Sequence, residues 1–180
     1  VKLKNVLKDF NLLASTSRGN ERQMCSELSY LLKEKLEDPA PVVDKTGVRG
    51  LVAAKTSLNP REVIEKFRGI LQERPYEFRY ALRIIPVERT VPTDLDEVKR
   101  AASELAANIG ENETFRVTVE KRFSSLHSRD FIEAVATDID RKVDLKNPDK
   151  ILLIEVVGGV TGISLIKPSE VLAVTKEKML

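Results

Sequence analysis

Lys121-Arg122, followed by Ser124, Ser125, Ser128 and Arg129, is an arrangement that could hold a phosphate. The pair closes an alternating run, Phe115-Arg116-Val117-Thr118-Val119-Glu120, which has the period of a strand. Just beyond it Phe131, Ile132, Val135, Ala136 and Ile139 make a helical stripe, with Ser128 as the expected cap. The N–H groups of a first helical turn are unpaired and partly positive, so a phosphate there gains hydrogen bonds and dipole attraction, and guanidinium groups add bidentate contacts. A capped helix with a solvated basic rim is the plainer reading, and residue pattern alone leaves the two even.

A second loop of this kind, Ser15-Thr16-Ser17-Arg18-Gly19-Asn20, could bind phosphate through Arg18 at a helix start, although simple turn and cap chemistry is the favoured reading. Arg79 and Arg83 alternate with Phe78 and Tyr80 in a run that reads as a strand to Ile85, which puts both arginines on its open face. His127 stands between serines and near Asp130, but a hydrolase needs its nucleophile, base and acid to converge in space, and sequence neighbours rarely do. No catalytic residue is assigned. Gly158-Gly159-Val160-Thr161-Gly162 lacks the Gly-Lys-Ser/Thr ending of a P-loop, so no nucleotide or other cofactor is expected. One cysteine and one histidine cannot build a structural zinc site, and Cys25 lies on a buried stripe as a small core residue.

Composition narrows the partners. Thirty basic residues against 28 acidic leave a net charge of +2, so a nucleic-acid surface must come from local clustering. Aromatic residues make up 5% of the chain and tryptophan is absent, which argues against a stacking platform for single-stranded bases and for recognition of shape and phosphate. Apolar runs such as Ile151 to Ile154 are far shorter than the roughly 20 residues of a membrane span, and the amino terminus lacks a signal pattern. The expectation is a cytoplasmic protein with no membrane partner.

The elements that must position these residues fall into two sets. Phe10 to Ala14 reads as a strand. A helix follows, with Asn20 and Gln23 as a capping box and Met24, Leu28, Leu31 and Leu32 on its stripe. A hairpin turns at Lys45-Thr46-Gly47, Asn59-Pro60 opens a second helix, and the strand through Ile85 closes the set. This order, βαββαβ, is that of a ferredoxin-like sandwich and defines a first domain at residues 1–89. The second, 90–180, holds a helix from Thr93 or Asp94 to Gly110, the Phe115 strand, the helix after Ser128, and two apolar strands joined by Gly158-Gly159. The fold class is α+β, two α/β units in series.

The ordered set of Lys121-Arg122, the following helix, Val143-Asp144-Leu145-Lys146-Asn147-Pro148-Asp149 and the Gly158-Gly159 hairpin resembles the THUMP domain, an RNA-binding module of tRNA-modifying proteins. The resemblance implies phosphate contact at Lys121, Arg122, Ser128 and Arg129, and more weakly at Arg116 and Lys146, with the acceptor end of tRNA as the ligand. Asn11 to Glu21 together with Phe78 to Arg89 is similar to the region preceding THUMP in the adaptor proteins of tRNA cytidine acetylation. That likeness implies a tRNA-binding adaptor without catalytic activity, whose partner is a separate cytidine N-acetyltransferase forming N4-acetylcytidine. Related modules serve thiolation and methylation systems. Two other readings stay open: a small RNA-modifying enzyme using Ser15, Ser17 or His127, and a scaffold whose first sheet pairs into a homodimer.

Overall fold

Leu12, Leu13 and Ala14 are buried because they lie in the central strand of a sheet, β1 (Leu12–Ser15), in the computed structural model, which describes residues 8–179. Of the domain limits expected at 1–89 and 90–180, residues 1–7 and 180 lie outside the described residues. The chain divides into two units, one built from residues up to 87 together with those from 170 onward, the other from residues 88–169.

In the first unit β1 is flanked by β3 (Leu51–Lys55) and β4 (Arg83–Pro86), and β2 (Val42–Lys45) lies outside β3. All these pairs are antiparallel, so the split βαβ pairing of a ferredoxin-like sandwich is present. Helix α1 (Glu21–Tyr30), prolonged by a π-helical turn over Leu31–Lys35, and α2 (Pro60–Glu73) supply Met24, Leu28, Leu32, Val63, Ile64 and Phe67 to a core shared with Leu12, Ala14, Val52, Ala54 and Ile84. Phe67 and Phe78 meet edge to face at 5.9 Å between ring centroids, the favoured geometry for aromatic quadrupoles. Asn59 caps α2 as its type predicts, its side chain accepting from the N–H groups of Arg61 and Glu62. Asn20 makes no such bond at the start of α1. Asp38 closes the far end: its buried carboxylate accepts from Thr56 Oγ1, from Ser57 Oγ and from the N–H groups of Ala40 and Ser57.

The strand expected from Phe78 to Ile85 is shorter, beginning only at Arg83. The cause is Glu27, nearly buried on α1, whose carboxylate accepts from three successive N–H groups, those of Arg79 at 2.7 Å, Tyr80 at 3.1 Å and Ala81 at 2.9 Å. Donors held by a side chain cannot join a ladder, so residues 79–81 are bonded to α1 through Glu27 instead of pairing in the sheet. Alternation of side chains was present in the sequence, and a distant carboxylate overrode it.

The end of the chain also departs from the expected division. β10 (Leu172–Ala173) pairs antiparallel with β4, and helix α5 (Val174–Lys178) follows. Leu172 and Val174 enter the first core, Glu177 meets Arg68 at 2.7 Å, and Lys178 donates to the carbonyl of Phe78. These residues therefore complete the first sheet, although they follow the second unit in sequence.

The second unit has a sheet of order β5-β9-β8-β6-β7, with β5 (Arg89–Pro92), β6 (Thr114–Arg122), β7 (Lys142–Val143), β8 (Lys150–Val157) and β9 (Val160–Ile166). β6 runs parallel to β7 and β8, while β9 is antiparallel to β8 and β5. Helices α3 (Leu95–Ala106) and α4 (Ser128–Ala136) place Val98, Ala102, Leu105, Phe131 and Val135 against Phe115, Leu152, Ile154, Val156 and Ile163. Asp94 caps α3 by accepting from the Glu97 N–H at 3.1 Å.

Removing the Glu27 carboxylate should leave buried donors without a partner. Glu27→Ala is expected to destabilise the protein by about 3 kcal/mol, measured as a shift of the urea midpoint at unchanged slope.

Candidate nucleic-acid interface

Phe115, Val117 and Val119 of β6 pack toward the helices, so the period of two puts Lys121 on that face and Arg116, Thr118, Glu120 and Arg122 on the other. Pairing with β8 continues to the last residue, Arg122 opposite Val157, and the Arg122 carbonyl accepts from the Gly158 N–H at 2.8 Å. Gly158 has φ +60, which suits the tight β8–β9 turn and which a β-carbon would disfavour. The strand end is thus held rigidly up to the point where the basic pair emerges. Lys121 is exposed and its ammonium has no hydrogen-bond or ion-pair partner among the described residues. Arg122 is different, its Nη1 lying 2.9 Å from Oε1 of Glu155, whose side chain is only 2% exposed.

Phe123 comes next, with φ +55 and 76% of its surface exposed. A left-handed backbone costs a bulky residue roughly 1–2 kcal/mol, and the ring recovers none of it by burial. The result is an aromatic face displayed one residue beyond the cations. α4 then begins with His127 at the cap position, its N–H donating to Asp130 Oδ2 at 2.9 Å. Ser128, expected as the cap, is the first helical residue instead, because the Asp130 carboxylate reaches back one turn and takes the donor. Arg129 is exposed and bonded to Glu133 one turn on, Nε to Oε1 at 3.2 Å. Such a solvated pair contributes a few tenths of a kcal/mol, about 0.3–0.5, so its guanidinium can exchange to a phosphate at little cost.

Arg116 and Lys146 lie at the opposite end of the strand, six residues and so about 20 Å from Arg122 in the case of Arg116. There the Val143 to Asp149 segment is a clamp on the start of β6. Asp149 Oδ2 accepts from the Thr114 N–H at 2.8 Å, Asp144 Oδ1 from the N–H groups of Lys146 and Asn147, and Arg116 Nη1 donates to the Leu145 carbonyl at 2.9 Å. Arg116 holds the turn; Lys146 is exposed on it. Lys121 and Arg122 therefore share the strand end but leave it on opposite faces, Ser128 and Arg129 follow at the start of α4, and Arg116 and Lys146 lie at the other end of β6.

Arg18, Arg79 and Arg83 belong to the first unit and do not form one patch. In the Ser15 to Asn20 loop the donors are already used: Glu21 accepts from the Gly50 N–H at 2.7 Å and the Gly19 N–H at 3.0 Å. A carboxylate sits where a phosphate would, which agrees with turn and cap chemistry there. Gly50 is required at φ +76, where a β-carbon would lie 2.8 Å from the Thr16 carbonyl oxygen. Arg83 pairs within β4, opposite Ser15 and Ala173, whereas Arg79 sits on the segment raised by Glu27, over the Tyr80 ring. They share no strand face.

Two sets of residues were missed from the sequence. Phe123 carried no signal, since nothing local marks its left-handed backbone. The three tyrosines, Tyr30, Tyr76 and Tyr80, line one groove with Arg22, Ser26 and Arg79. Part of this was legible in the spacing of Arg22, Ser26 and Tyr30, one helical face at four-residue intervals. The low aromatic content hid it, because folding gathers tyrosines that the sequence spreads over about 50 positions.

A parallel strand pair closed by an antiparallel hairpin, with two helices on one face and a basic strand end, defines an α/β domain. Residues 92–166 match the THUMP domain, so the chain carries a THUMP domain in its second unit. The chain is also similar to an uncharacterized protein of Methanocaldococcus jannaschii, 31% identical over 171 residues, which cover 92% of this chain and 43% of that protein. Among solved structures, a Pyrococcus horikoshii Ot3 protein matches with TM-score 0.60 at 21% identity, over 88% of this chain and 55% of that one. TrmN from Thermus thermophilus matches with TM-score 0.56 at 18% identity, over 88% of this chain and 46% of its own. The chain spans less than half the length of the curated relative it matches. No helix among the described residues is long and apolar enough to cross a membrane.

Three variants separate structure from recognition at this site. Arg122→Ala removes the guanidinium that lies 2.9 Å from the buried Glu155 carboxylate and should destabilise by about 3 kcal/mol in denaturant unfolding. Lys121→Ala should not alter stability, and Phe123→Gly should leave it unchanged or raise it by up to about 1 kcal/mol. At the other loop, the N–H groups of Gly50 and then Gly19 hold the Glu21 carboxyl below the usual carboxylate range. Its contribution is present above the unfolded-state value and lost as pH falls through the folded one, so the stability gap between wild type and Glu21→Gln should shrink from about pH 6 to about pH 3.

Proposed function

We propose that this chain binds tRNA near its acceptor end and presents it to a separate modifying enzyme, acting as an adaptor and not as the catalyst. The observation that carries this reading is the carboxyl end of β6 within the THUMP domain, where Lys121 has no acidic partner among the described residues and Phe123 is held outward. An ammonium that is not neutralised internally can replace the counterions of a phosphate, and an exposed ring can cover a base or ribose. Arg129 joins them at small cost, and the start of α4 supplies dipole attraction. Binding at one fixed place on the RNA lets a partner's active site meet a base at set distance, raising its effective concentration.

The likeness of Asn11 to Glu21 and Phe78 to Arg89 to the adaptors of tRNA cytidine acetylation makes a cytidine N-acetyltransferase the proposed partner, with acetyl-CoA and ATP bound there. The adaptor would act in the cytoplasm. The length of the relatives supports a second reading, in which these residues are the RNA-binding part of a thiolation or methylation system.

A tRNA-binding titration across a salt series tests the common core. Affinity should fall steeply with salt, Lys121→Ala should flatten the log–log slope by about one unit, and Phe123→Ala should weaken binding at all salt concentrations without changing the slope. Salt-independent binding, or equal affinity for tRNA with and without its 3′ end, sinks the reading. Acetylation of cytidine by the purified chain alone would replace the adaptor with an enzyme.

A further inference from the structure

The first unit carries a groove of about 570 Å³ between the exposed face of α1 and the segment that Glu27 lifts off the sheet. That volume falls in the range of about 300–1,000 Å³ in which small planar ligands are held. All three tyrosines of the chain line it. Tyr76 is 69% exposed and Tyr30 40%, with the Lys35 ammonium 5.6 Å from the centroid of the Tyr30 ring, so cations as well as aromatic surface gather on one small unit.

Charge in the groove is unbalanced in one direction. Its two carboxylates are occupied within the protein, Glu27 by the N–H groups of residues 79–81 and Glu77 by Lys35 at 3.5 Å. Arg22 makes no ion pair among the described residues, and neither does Arg79, whose guanidinium lies 5.9 Å from the centroid of the Tyr80 ring. Two guanidinium groups beside flat, partly polar rings complement a ligand that joins an aromatic face to an anion. Tyrosine and arginine also favour protein interfaces, but two guanidinium groups without an ion pair among the described residues favour an anionic ligand.

We propose that this groove holds an unpaired nucleotide of RNA, its base stacked on the tyrosine rings and its phosphate held by Arg22 and Arg79. The proposal extends the RNA-binding reading to a second surface, one that grips a single strand where the β6 end grips by charge. Base stacking on aromatic side chains tolerates any sequence, so the groove would recognise the unpaired state and not the identity of the base.

The chain has no tryptophan, so its tyrosine emission reports on this groove alone. Full-length protein titrated with a five-nucleotide single-stranded RNA, corrected for absorption by the ligand, should lose tyrosine fluorescence. Tyr76→Ala and Arg79→Gln should each weaken binding about tenfold, Tyr76→Phe should preserve it, and blunt duplex RNA or AMP should quench weakly. Absence of quenching by the oligonucleotide overturns the proposal, as would be seen if the groove seated a protein. Quenching by AMP equal to that by the strand overturns it too, in favour of a free nucleotide. Tight, salt-sensitive tRNA binding without tyrosine quenching would sink the groove and leave the β6 site standing; quenching by the strand with no effect of Lys121→Ala on tRNA would do the reverse.

Discussion

At least five carboxylates of this protein are turned onto its own backbone N–H groups, and that constraint shapes both the loops and the charge left over for a ligand. Glu21 holds Gly19 and Gly50, Glu27 holds residues 79–81, Asp38 holds Ala40 and Ser57, Asp130 holds His127, and Asp149 holds Thr114. A buried or half-buried donor must find an acceptor, and a carboxylate meets that need more strongly than a carbonyl does. Each carboxylate so used is withdrawn from pairing with a lysine or arginine. A chain with a net charge of only +2 can thereby present uncompensated cations at chosen places.

The two units apply the constraint differently. In the second, β6 is the ruler: Asp149 and Asp144 clamp its start, and pairing with β8 carries the order without interruption to Arg122. Rigidity at the strand end is what allows Phe123 to sit in a left-handed backbone, since a free loop would relax out of it. Arg122 belongs to the framework through Glu155, and Lys121, one residue earlier and on the other face, is free to meet a ligand. Neighbours in sequence thus divide structural and binding roles. In the first unit Glu27 performs the corresponding service, lifting Arg79 and Tyr80 from the sheet and setting them beside α1.

The end of the chain returns to the first sheet as β10, so that unit is built from both ends of the sequence. Leu172 and Val174 are buried there, and the Arg68 to Glu177 pair and the Lys178 bond fix the segment that carries them. Folding of the first unit therefore draws on residues that follow the THUMP domain, a long-range dependence whose closure entropy grows only slowly, as the logarithm of the loop length.

Sequence by itself determined the βαββαβ order of the first sheet, the helix cap at Asn59, a helix opening at Thr93 or Asp94, the hairpin at Gly158-Gly159 and the emergence of Lys121-Arg122 at a strand end, because periodicity, cap chemistry and turn residues act over a few positions. Tertiary structure decided what depends on partners far away in the chain. Glu27, more than 50 residues from Arg79, cancelled the first half of an alternating strand; Glu155 converted Arg122 from a free cation to a bonded one; and β10 crossed to the first sheet. The Arg116 to Leu145 bond made a scaffold residue of a candidate contact, and three dispersed tyrosines became one groove. In all but the last case an unpaired donor, charge or apolar face was satisfied by whichever group folding brought within reach, and that choice is made in space and not along the chain.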